Sequence, residues 1–572
     1  MMGLGGIQWL GLAAAVLSAV VLWRVFVVRS RRRRLAELRA WWGRIPPDQP
    51  SLEVCRRYDE LRLNEPLPHR HRVDDRSWQD LDLDQLFLRM NRCLTAIGAQ
   101  TLYRRLRTPH RDSFPVETQA RLVETILQDR ALREQVQMAL MRCRHPHGWR
   151  VAELIWDEPP QPDHLTRLAP LGALAAVAVI GFAWTGFISW GWIVPVFLVN
   201  SAIHFMHRRR AEGYPLAPLG SLLDAADRCS SIEAEALRQD LNPLRRCLPA
   251  TRQLRRRLAP LQIGAGADLM QYVAIMFLTD VLAFGAVISL LEGLQDELRM
   301  VFRIIGELDA ACAVASFRTT LEAVCAPESP SSPGCCRVAG IRHPLVDNAI
   351  ANDFVFDVRA VLITGSNMSG KTTFLKTMGC NAVLAQSFGF AVATTWEMPP
   401  LSVLTSIGRA DNIIEGRSYY LAEVESVLRL VRAAESPSPH LFLVDEVFRG
   451  TNTVERIAGG AGVLGHLARP AHFVLAATHD LDLATILECK FANFHFADRV
   501  GPDGLDFDFT IRPGTCTSRN AIALLGYVGY PRNLVRRARL LAQELSDGGG
   551  SGIPSMADPG DTVQSGATSR KS

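Results

Sequence analysis

The chain has 572 residues, with 63 basic and 58 acidic side chains and a formal net charge of +5. This length excludes a single ordinary domain and indicates two or three units with appended segments. Only four of the basic residues are lysines, so the arginine excess indicates coding bias and is weak support for nucleic acid binding. The 12 cysteines form no C-x-x-C pair, which favours reduced structural thiols in a cytosolic compartment over a disulfide framework or a zinc site.

The first apolar stretch runs from Ile7 to Val28 and is interrupted by only three polar residues. It is long enough to cross about 30 Å of hydrocarbon, which predicts a membrane span. A cleaved signal peptide is the alternative, but no small-x-small cleavage site leads into a polar start. Arginines at positions 29 and 31–34 follow directly, and the positive-inside rule then predicts that the next part of the chain is cytoplasmic. Nucleic acid binding is the alternative for this basic run.

A second apolar block runs from Leu168 to Met206, after amphipathic helical stretches from Arg76 to Pro109 and from Glu117 to Cys143. The block breaks near residues 185–189 and is close to two minimal spans, so it predicts a membrane hairpin. Basic residues at 167 and 208–210 place both of its ends on the cytoplasmic side. A buried helical pair inside a soluble core is the alternative.

A third apolar stretch, from Met270 to Leu291, predicts a buried helix of the soluble core. In a membrane span, Asp280 would lie near the bilayer centre at a cost of about 2.5–3.5 kcal/mol. A further span would also move the rest of the chain, with its phosphate-binding motif, out of the cytoplasm. Helical sequence continues over Glu307–Val324, and the Pro/Ser/Gly-rich stretch Pro327–Gly334 marks a domain boundary.

A strand-like run, Val361–Thr364, leads directly into a G-x-x-x-x-G-K-T motif. With a helix expected from near Ser369, this pattern predicts a loop whose backbone N–H groups bind a triphosphate. Lys371 is expected to reach the β- and γ-phosphates, and Thr372 to ligate Mg²⁺. A chance match in a Gly-rich turn is the alternative. The residues expected to contact the nucleotide are Gly365, Ser366, Asn367, Met368, Ser369, Gly370, Lys371, Thr372 and Thr373.

Two later apolar runs end in candidate catalytic residues. LFLVDE ends in Asp445, which is expected to hold Mg²⁺ through water, and in Glu446, which is expected to act as general base on the attacking water. FVLAAT (473–478) leads to His479, at the strand end where open parallel sheets bind ligands. His479 is suited to contact the γ-phosphate or the catalytic water, with a purely structural histidine as the alternative. Together with Lys371, these residues predict an ATPase that uses ATP and Mg²⁺.

Four segments together resemble the ATPase domain of the MutS family, a member of the ABC-like class of P-loop NTPases. Asn367 and Met368 in the loop, and residues 450–452 after the carboxylates, distinguish this family from transporters. The similarity is continuous from Arg342 to Leu541, and Thr95–Pro109 and Glu307–Phe317 resemble the core and lever helices of the family more weakly. The four segments are GSNMSGKTTF from Gly365, GRSYYLAEVE from Gly416, LFLVDEVFRGTNTVER from Leu441 and ATHDLDL from Ala477.

The resemblance implies a homodimer in which two ATPase domains sandwich ATP at composite sites. Ser418, like the signature serine of the family, would contact the γ-phosphate bound by the partner subunit. The expected fold is an ABC-like α/β P-loop domain after an all-α core and lever domain, with transmembrane helices. The expected divisions are an anchor with its basic flank (1–34), a cytoplasmic linker (35–75), helical core (76–167), membrane hairpin (168–206), core and lever (207–326), linker (327–336), ATPase domain (337–546) and disordered tail (547–572).

Several features depart from the family pattern. No mismatch-recognition domain with a Phe-x-Glu wedge fits before Arg76, and no nuclease-like domain is expected at the C-terminal end. The membrane spans are foreign to soluble mismatch repair. Near Ala349, the side chain is smaller than the one that the family commonly offers to the adenine ring, and Phe448 replaces a small residue beside the carboxylates.

These observations lead to two hypotheses. The first is a multi-pass protein of the cytoplasmic membrane, with a cytoplasmic MutS-like ATPase domain that clamps double-stranded DNA or another polymer without reading mismatches. Basic clusters such as RQLRRR (252–257) give its DNA part little support, because such clusters are more often solvated helix faces. The second is an ATP-driven switch that remodels a membrane protein partner without nucleic acid. An ABC exporter is disfavoured because the LSGGQ-type signature is missing and three spans per chain are few for a transport pathway.

Overall fold

The computed structural model has a helical N-terminal part and a C-terminal α/β part, which confirms the order of fold classes expected from the sequence. It describes residues 4–62, 72–109, 115–157, 164–211, 213–263, 268–330, 335–356, 358–366, 369–408, 419–501, 504–516 and 521–547. The tail expected beyond residue 547 lies outside these ranges, as do Asn367, Met368 and Ser418.

The helical part ends in a long helix that leads to the first strand of the α/β part. Its α-helices are α1 (Leu4–Trp41), α2 (Leu52–Leu61), α3 (Asp75–Asp80), α4 (Leu83–Met90), α5 (Ala96–Arg107), α6 (Val116–Gln128), α7 (Arg130–Leu140), α8 (Val151–Trp156), α9 (His164–Trp184), α10 (Ile193–Ala211), α11 (Leu216–Ser230), α12 (Arg238–Ile263), α13 (Asp268–Phe277), α14 (Thr279–Leu291) and α15 (Gln295–Arg318).

Helices α5 and α15 pack at the centre of the helical part and approach closely through two glycines. A Cβ added at Gly98 would come within 2.2 Å of Asp309, and one added at Gly306 would come within 2.1 Å of Thr101. Asp309 accepts hydrogen bonds from the backbone N–H of Thr95 at 2.8 Å and from its hydroxyl at 2.6 Å. It therefore satisfies donors at the start of α5, which the helix itself leaves unpaired. Burial raises the pKa of Asp309 to about 6 despite these bonds.

The end of α1 and the segment between α1 and α3 pack against the helical core. Leu38, Cys55 and Tyr58 are buried in that core, and Arg39 forms an ion pair with Glu134 at 2.8 Å. Part of the stretch 35–75, expected as a cytoplasmic linker, is therefore packed against the helical core. In the same core, the helical run expected over 117–143 is divided at residue 129 into α6 and α7.

Helices α9 and α10 form an antiparallel hairpin, and α13 and the start of α14 pack against it. The stretch 270–291 is thus two helices rather than the single helix expected. They meet at Leu278, which has a left-handed backbone with φ +49°, and the bend there is 71°. The lever helix α15 ends at Arg318, earlier than the expected helical end at Val324.

Among the described residues, one helical segment, Thr166–Trp184, is long and apolar enough to cross a membrane by itself. The bent pair Gln271–Phe277 and Thr279–Arg318 passes the same test only when its two helices are taken together. Of the first expected span, 7–28, the side chains are described only from Leu17 onward. The multi-pass arrangement stays a prediction.

The α/β part contains a mixed six-stranded sheet in the order β5-β6-β7-β3-β8-β9, with β9 antiparallel to β8 and the other neighbours parallel, and a small sheet in the order β2-β1-β4. The elements are β1 (Cys336–Ile341), β2 (Asn352–Phe356), β3 (Ala360–Thr364), α16 (Lys371–Phe388), β4 (Thr395–Glu397), β5 (Ser402–Ile407), α17 (Tyr419–Ala433), β6 (His440–Asp445), α18 (Thr453–Leu467), β7 (Phe473–Thr478), α19 (Leu481–Ile486), β8 (Ala492–Gly501), β9 (Gly504–Pro513), α20 (Ala521–Val528) and α21 (Arg532–Asp547).

Helix α16, which follows the phosphate-binding motif, lies between the sheet and the helical part. A Cβ added at Gly379 would come within 2.5 Å of Leu81 on one side and 2.8 Å of Leu443 on the other. Lys376 pairs with Asp82 at 2.5 Å, between α3 and α4. The helix that begins at the candidate nucleotide site is therefore in direct contact with the helical part.

Candidate nucleotide-binding site

The parallel strands β3, β6 and β7 are neighbours in the sheet and end at the same edge. Their carboxyl ends deliver the glycine-rich loop, the two carboxylates and His479, respectively. All three strands are buried along their whole length, because both faces of the sheet are covered by helices. The fold therefore brings together side chains that are more than 100 residues apart in sequence.

Two glycines give the loop between β3 and α16 its path. Gly365 and Gly370 have φ values of +148° and +107°, which side chains other than glycine rarely adopt. A Cβ at Gly365 would also come within 2.9 Å of the carbonyl oxygen of Phe496. The hydroxyl of Ser369 is buried and has no hydrogen-bond partner among the described residues. A glycine-shaped loop with a spare donor suits the oxygens of a phosphate group.

Lys371 is the first residue of α16 and is buried against the loop. Its Nζ donates to the carbonyl oxygens of Gly365 and Ser366, both at 2.7 Å. Burial lowers the pKa of Lys371, while the nearby carboxylates of Glu446 and Asp445 oppose that shift. The ammonium group is thus held inside the loop, next to the backbone that is expected to bind phosphate.

Thr372 and Asp445 come together as expected for a pair that shares a metal ion. The hydroxyl of Thr372 donates to Asp445 Oδ2 at 2.7 Å, whereas Asp445 Oδ1 is buried and has no hydrogen-bond partner among the described residues. Burial raises the pKa of Asp445, opposed by the hydrogen bond from Thr372 and the charge of Arg449. Hydroxyl and carboxylate oxygens are ligands that Mg²⁺ prefers, so this pair fits the ion.

The described residues contain no group of three or more His, Cys, Asp or Glu side chains that could hold a metal ion. A Mg²⁺ ion at Thr372 and Asp445 would therefore need further oxygen ligands from a bound phosphate and from water. This arrangement is common for Mg²⁺, which keeps several waters and binds through one or two protein groups plus substrate phosphates.

Glu446 is held between the side chains of His479 and Arg449. His479 Nδ1 lies 3.1 Å from Glu446 Oε1, and Arg449 Nε lies 2.8 Å from Glu446 Oε2. Burial acts to raise the pKa of Glu446, but His479, Arg449 and Lys371 outweigh it and the pKa lies below its usual value. The hydrogen bond to Glu446 in turn raises the pKa of His479. Glu446 is therefore ionised at neutral pH, as a general base must be.

The backbone is strained at Glu446 and again two residues later, at Phe448. Glu446 and Phe448 have φ values of +53° and +61°. Left-handed backbone is uncommon for such side chains and is concentrated at functional sites. The Phe448 ring lies over Gly459 of α18, where an added Cβ would come within 3.0 Å of the ring. The bulky residue that the sequence places beside the carboxylates is thus accommodated by a glycine.

A cavity of about 410 Å³ opens beside the loop, next to Gly370 and Thr373. Phe509 forms part of its wall and is held by Asn352, which donates to its carbonyl oxygen at 3.0 Å. Ala349 also lines the cavity, so the small side chain noted in the sequence lies on this wall. The remaining apolar lining consists of Ile341, Val346, Ile350, Phe374 and Phe496.

Arg449 and Phe509 were missed by the sequence reasoning. Arg449 pairs with both carboxylates, at 3.3 Å from Asp445 Oδ2 and 2.8 Å from Glu446 Oε2, and its backbone N–H donates to Glu423 at 3.1 Å. Its position three and four residues after the carboxylates was a usable signal. Phe509 lies on β9 and gave no signal, because only the tertiary fold brings that strand to the loop.

Comparison with known proteins places this site in a family context. Residues 361–546 match MutS domain V. The chain is 31% identical over 255 residues to the DNA mismatch repair protein MutS of Thermus aquaticus, an alignment that covers 44% of this chain and 31% of that protein. It is 32% identical over 275 residues to the DNA mismatch repair protein MutS 2 of Halobacterium salinarum, covering 46% of this chain and 31% of that protein.

A third relative, the DNA mismatch repair protein MutS of Natronomonas pharaonis, is 30% identical over 246 residues, which cover 41% of this chain and 28% of the relative. The chain thus matches less than a third of the length of these relatives. The matches show that the C-terminal part of the chain is similar to MutS domain V and to the corresponding part of these relatives.

Proposed function

We propose that this protein is an ATPase that binds MgATP at the loop 365–373 and uses its hydrolysis to drive a clamp-like conformational change. The observation that carries the proposal is the convergence of Lys371, Thr372, Asp445, Glu446 and His479 at one edge of the sheet. The match to MutS domain V supports it.

Each side chain then has a role that follows from its contacts. The loop N–H groups and Lys371 bind the β- and γ-phosphates, and Thr372 and Asp445 hold Mg²⁺, which would neutralise charge on the phosphate oxygens. Glu446 orients the attacking water and accepts its proton. His479 and Arg449 fix the Glu446 carboxylate from both sides and keep it ionised.

The cavity beside Gly370 supplies the place for the nucleoside. Its apolar walls would accept the flat adenine ring, and its volume of about 410 Å³ falls in the range of small-molecule pockets. Phe509 is the aromatic side chain that would stack on the ring. Phe509→Ala should therefore raise the KM for ATP more than it lowers kcat.

The active unit in this proposal is a homodimer with two composite sites, each completed by Ser418 of the other copy. The test is the oligomeric state of Glu446→Gln, which should bind ATP without hydrolysing it. With ATP and Mg²⁺, light scattering of the purified variant should give twice the protein mass found without nucleotide. A chain that stays monomeric under these conditions would contradict the dimer.

Double-stranded DNA is the proposed polymer, in keeping with the names of the relatives. On α12, Arg252, Arg256 and Arg257 are exposed, while Arg255 pairs with Asp227 at 2.9 Å. Replacing the three exposed arginines by glutamate should weaken DNA binding and flatten the dependence of log K on log salt by about one unit for each phosphate that the protein no longer neutralises. Binding that does not respond to salt would exclude DNA as the ligand.

Anchoring in the cytoplasmic membrane is the second part of the proposal, with the ATPase domain in the cytoplasm. Large apolar side chains on the α9–α10 hairpin are exposed, among them Leu171, Leu174 and Leu198, each above 60%. Exposed apolar area on this scale favours contact with lipid over contact with water. Extraction by detergent but not by alkaline carbonate would support the span.

The same hairpin favours a second candidate function, an ATP-driven switch that remodels a membrane protein partner. Under this alternative, a membrane protein co-purifies with Glu446→Gln in an ATP-dependent way, and nuclease treatment leaves the association unchanged. Loss of the association on nuclease treatment would favour the DNA clamp over this alternative.

A further inference from the structure

Helix α13 lies outside the main hydrophobic core, between two residues that belong to that core. Leu258 near the end of α12 and Phe284 in α14 both belong to the main hydrophobic core, whereas Leu278 and Val281 between them pack with Ala169 in a separate small cluster. Helix α13 and the start of α14 therefore lie beside the α9–α10 hairpin, while Leu258 before them and Phe284 after them both belong to the main core.

The depth of this projection follows from one aromatic contact. The ring of Tyr272 in α13 lies 6.5 Å from the ring of Phe197 in α10. Phe197 precedes the basic hairpin end at Arg208 by 11 residues (208 − 197), which is about 16 Å of helix. The far end of the hairpin carries exposed Trp184, Trp190 and Trp192. Tryptophans are typical of membrane interfaces, and Trp192 precedes Phe197 by only five residues (197 − 192), so Tyr272 lies between the two ends of the apolar zone.

The polar groups at the bend point inward. Asn200 is 1% exposed and donates to the carbonyl oxygens of Met276 at 2.7 Å and Gly172 at 3.2 Å. The left-handed backbone at Leu278 interrupts the helix, and Asn200 supplies a partner for a carbonyl next to the break. Irregular backbone at membrane depth is tolerated only where protein satisfies it in this way.

The acidic side chain at the bend also has a histidine partner. Asp280 Oδ2 lies 2.8 Å from His204 Nδ1, and His204 is 4% exposed. Among the residues of α13 whose side chains the structure describes, Tyr272 and Val273 face outward and are 60% and 40% exposed. The objection that Asp280 raises against membrane burial is weakened, because an acidic group paired inside a bundle costs less than one facing lipid.

We propose that α13 is a re-entrant segment, which dips into the bilayer beside the hairpin and returns to the cytoplasmic face. This inference rests on the proposed membrane anchoring. It also keeps the ATPase domain on the cytoplasmic side, because a segment that enters and leaves by one face does not change the topology.

Spin labels report whether a side chain contacts lipid or water. Single cysteines would be placed at Tyr272, Leu174 and Ser289 of the full chain, in a Cys489→Ser background that removes the exposed native thiol. Leu174 is the hairpin control, and Ser289, exposed on α14, is the aqueous control. After reconstitution into lipid nanodiscs, relaxation by oxygen, which partitions into lipid, is compared with relaxation by a water-soluble nickel chelate.

We expect the label at 272 to respond as the label at 174 does, with oxygen dominant, and the label at 289 to respond mainly to nickel. Val273→Cys provides a second position in case the first variant does not fold. Nickel dominance at 272 and 273 with oxygen dominance at 174 would overturn the re-entrant segment and leave the anchoring intact. Nickel dominance at all positions would overturn both.

Discussion

Two arginine–carboxylate clusters in this molecule share their chemistry but differ in their surroundings. In the helical part, Arg105 and Glu307 are almost fully buried and 2.5 Å apart, and Arg105 also donates to the carbonyl oxygen of Ser387 in α16 at 2.9 Å. At the sheet edge, Arg449 is 32% exposed and pairs with Asp445 and Glu446.

The two clusters differ in whether their buried polar atoms have hydrogen-bond partners. Arg105 and Glu307 bond to each other and tie α5, α15 and α16 together. At the sheet edge, Asp445 Oδ1 and the Ser369 hydroxyl have no hydrogen-bond partner among the described residues, and both are buried. Buried polar atoms without partners are costly, and a bound ion or phosphate is one way to satisfy them. Spare donors and acceptors, rather than charge or burial alone, distinguish the candidate site from the structural cluster.

The largest expected effect is on turnover at the sheet edge. Lys371→Ala removes the cation that the loop holds and should lower kcat for ATP hydrolysis about 100- to 1,000-fold, the usual cost of losing one group that stabilises transition-state charge. The measurement is phosphate release by the purified full chain. The far-UV circular dichroism spectrum should stay unchanged, which shows that the variant is folded, and unaltered turnover would remove the loop from the proposed site.

In the structural cluster of Arg105 and Glu307, a substitution should change the stability of the protein rather than its turnover. Arg105→Ala leaves the buried Glu307 without its closest cation and should lower the free energy of unfolding by about 3–5 kcal/mol. Urea denaturation followed by circular dichroism measures it. The matched control is the double replacement Arg105→Met with Glu307→Leu, which should recover most of the loss because no charge remains buried. A single variant as stable as the parent would show that the pair is not structural.

A smaller effect is expected where the two parts meet. Gly379→Ala places a methyl group against Leu81 and Leu443, which are both fully buried, and should cost about 1–3 kcal/mol through overpacking. Gly462→Ala on α18 is the control, since nothing lies within 4 Å of its added Cβ. The free energy of unfolding of that variant should rise by up to about 1 kcal/mol, because alanine has a higher helix propensity than glycine. Equal effects of both variants would contradict the tight contact at α16.

The sequence was informative where local pattern and chemistry coincide. The strand before the loop, the glycine spacing and the strand that ends in Asp445 are local signals, so the α/β part and its edge could be predicted. The break at Leu278 could not, because an apolar run such as 270–291 has the same pattern whether it is one helix or two. The partners of Asp280 and Glu307 come from distant segments, and no local spacing indicates them.

The smallest effect concerns pH and separates His479 from a structural histidine. Its hydrogen bond and charge hold the pKa of Glu446 below the usual 4.5, so turnover of the parent should fall on the acid side only as the pH drops through that lowered value. His479→Asn removes the cationic partner while burial remains. The acid limb of the pH–rate profile should then move to higher pH.

On the alkaline side of the pH–rate profile, the titration of His479 itself should change the turnover. The pKa of His479 lies above its usual 6.5, because of the hydrogen bond to Glu446, so the imidazolium is lost only as the pH rises through the raised value. The parent should show a step in turnover in that range, and His479→Asn should not. Phosphate release measured from about pH 4 to 9, a range that brackets both ordinary pKa values, tests both limbs. If the two profiles coincide, His479 does not act on Glu446, and the sheet-edge cluster reduces to Lys371, Asp445, Glu446 and Arg449.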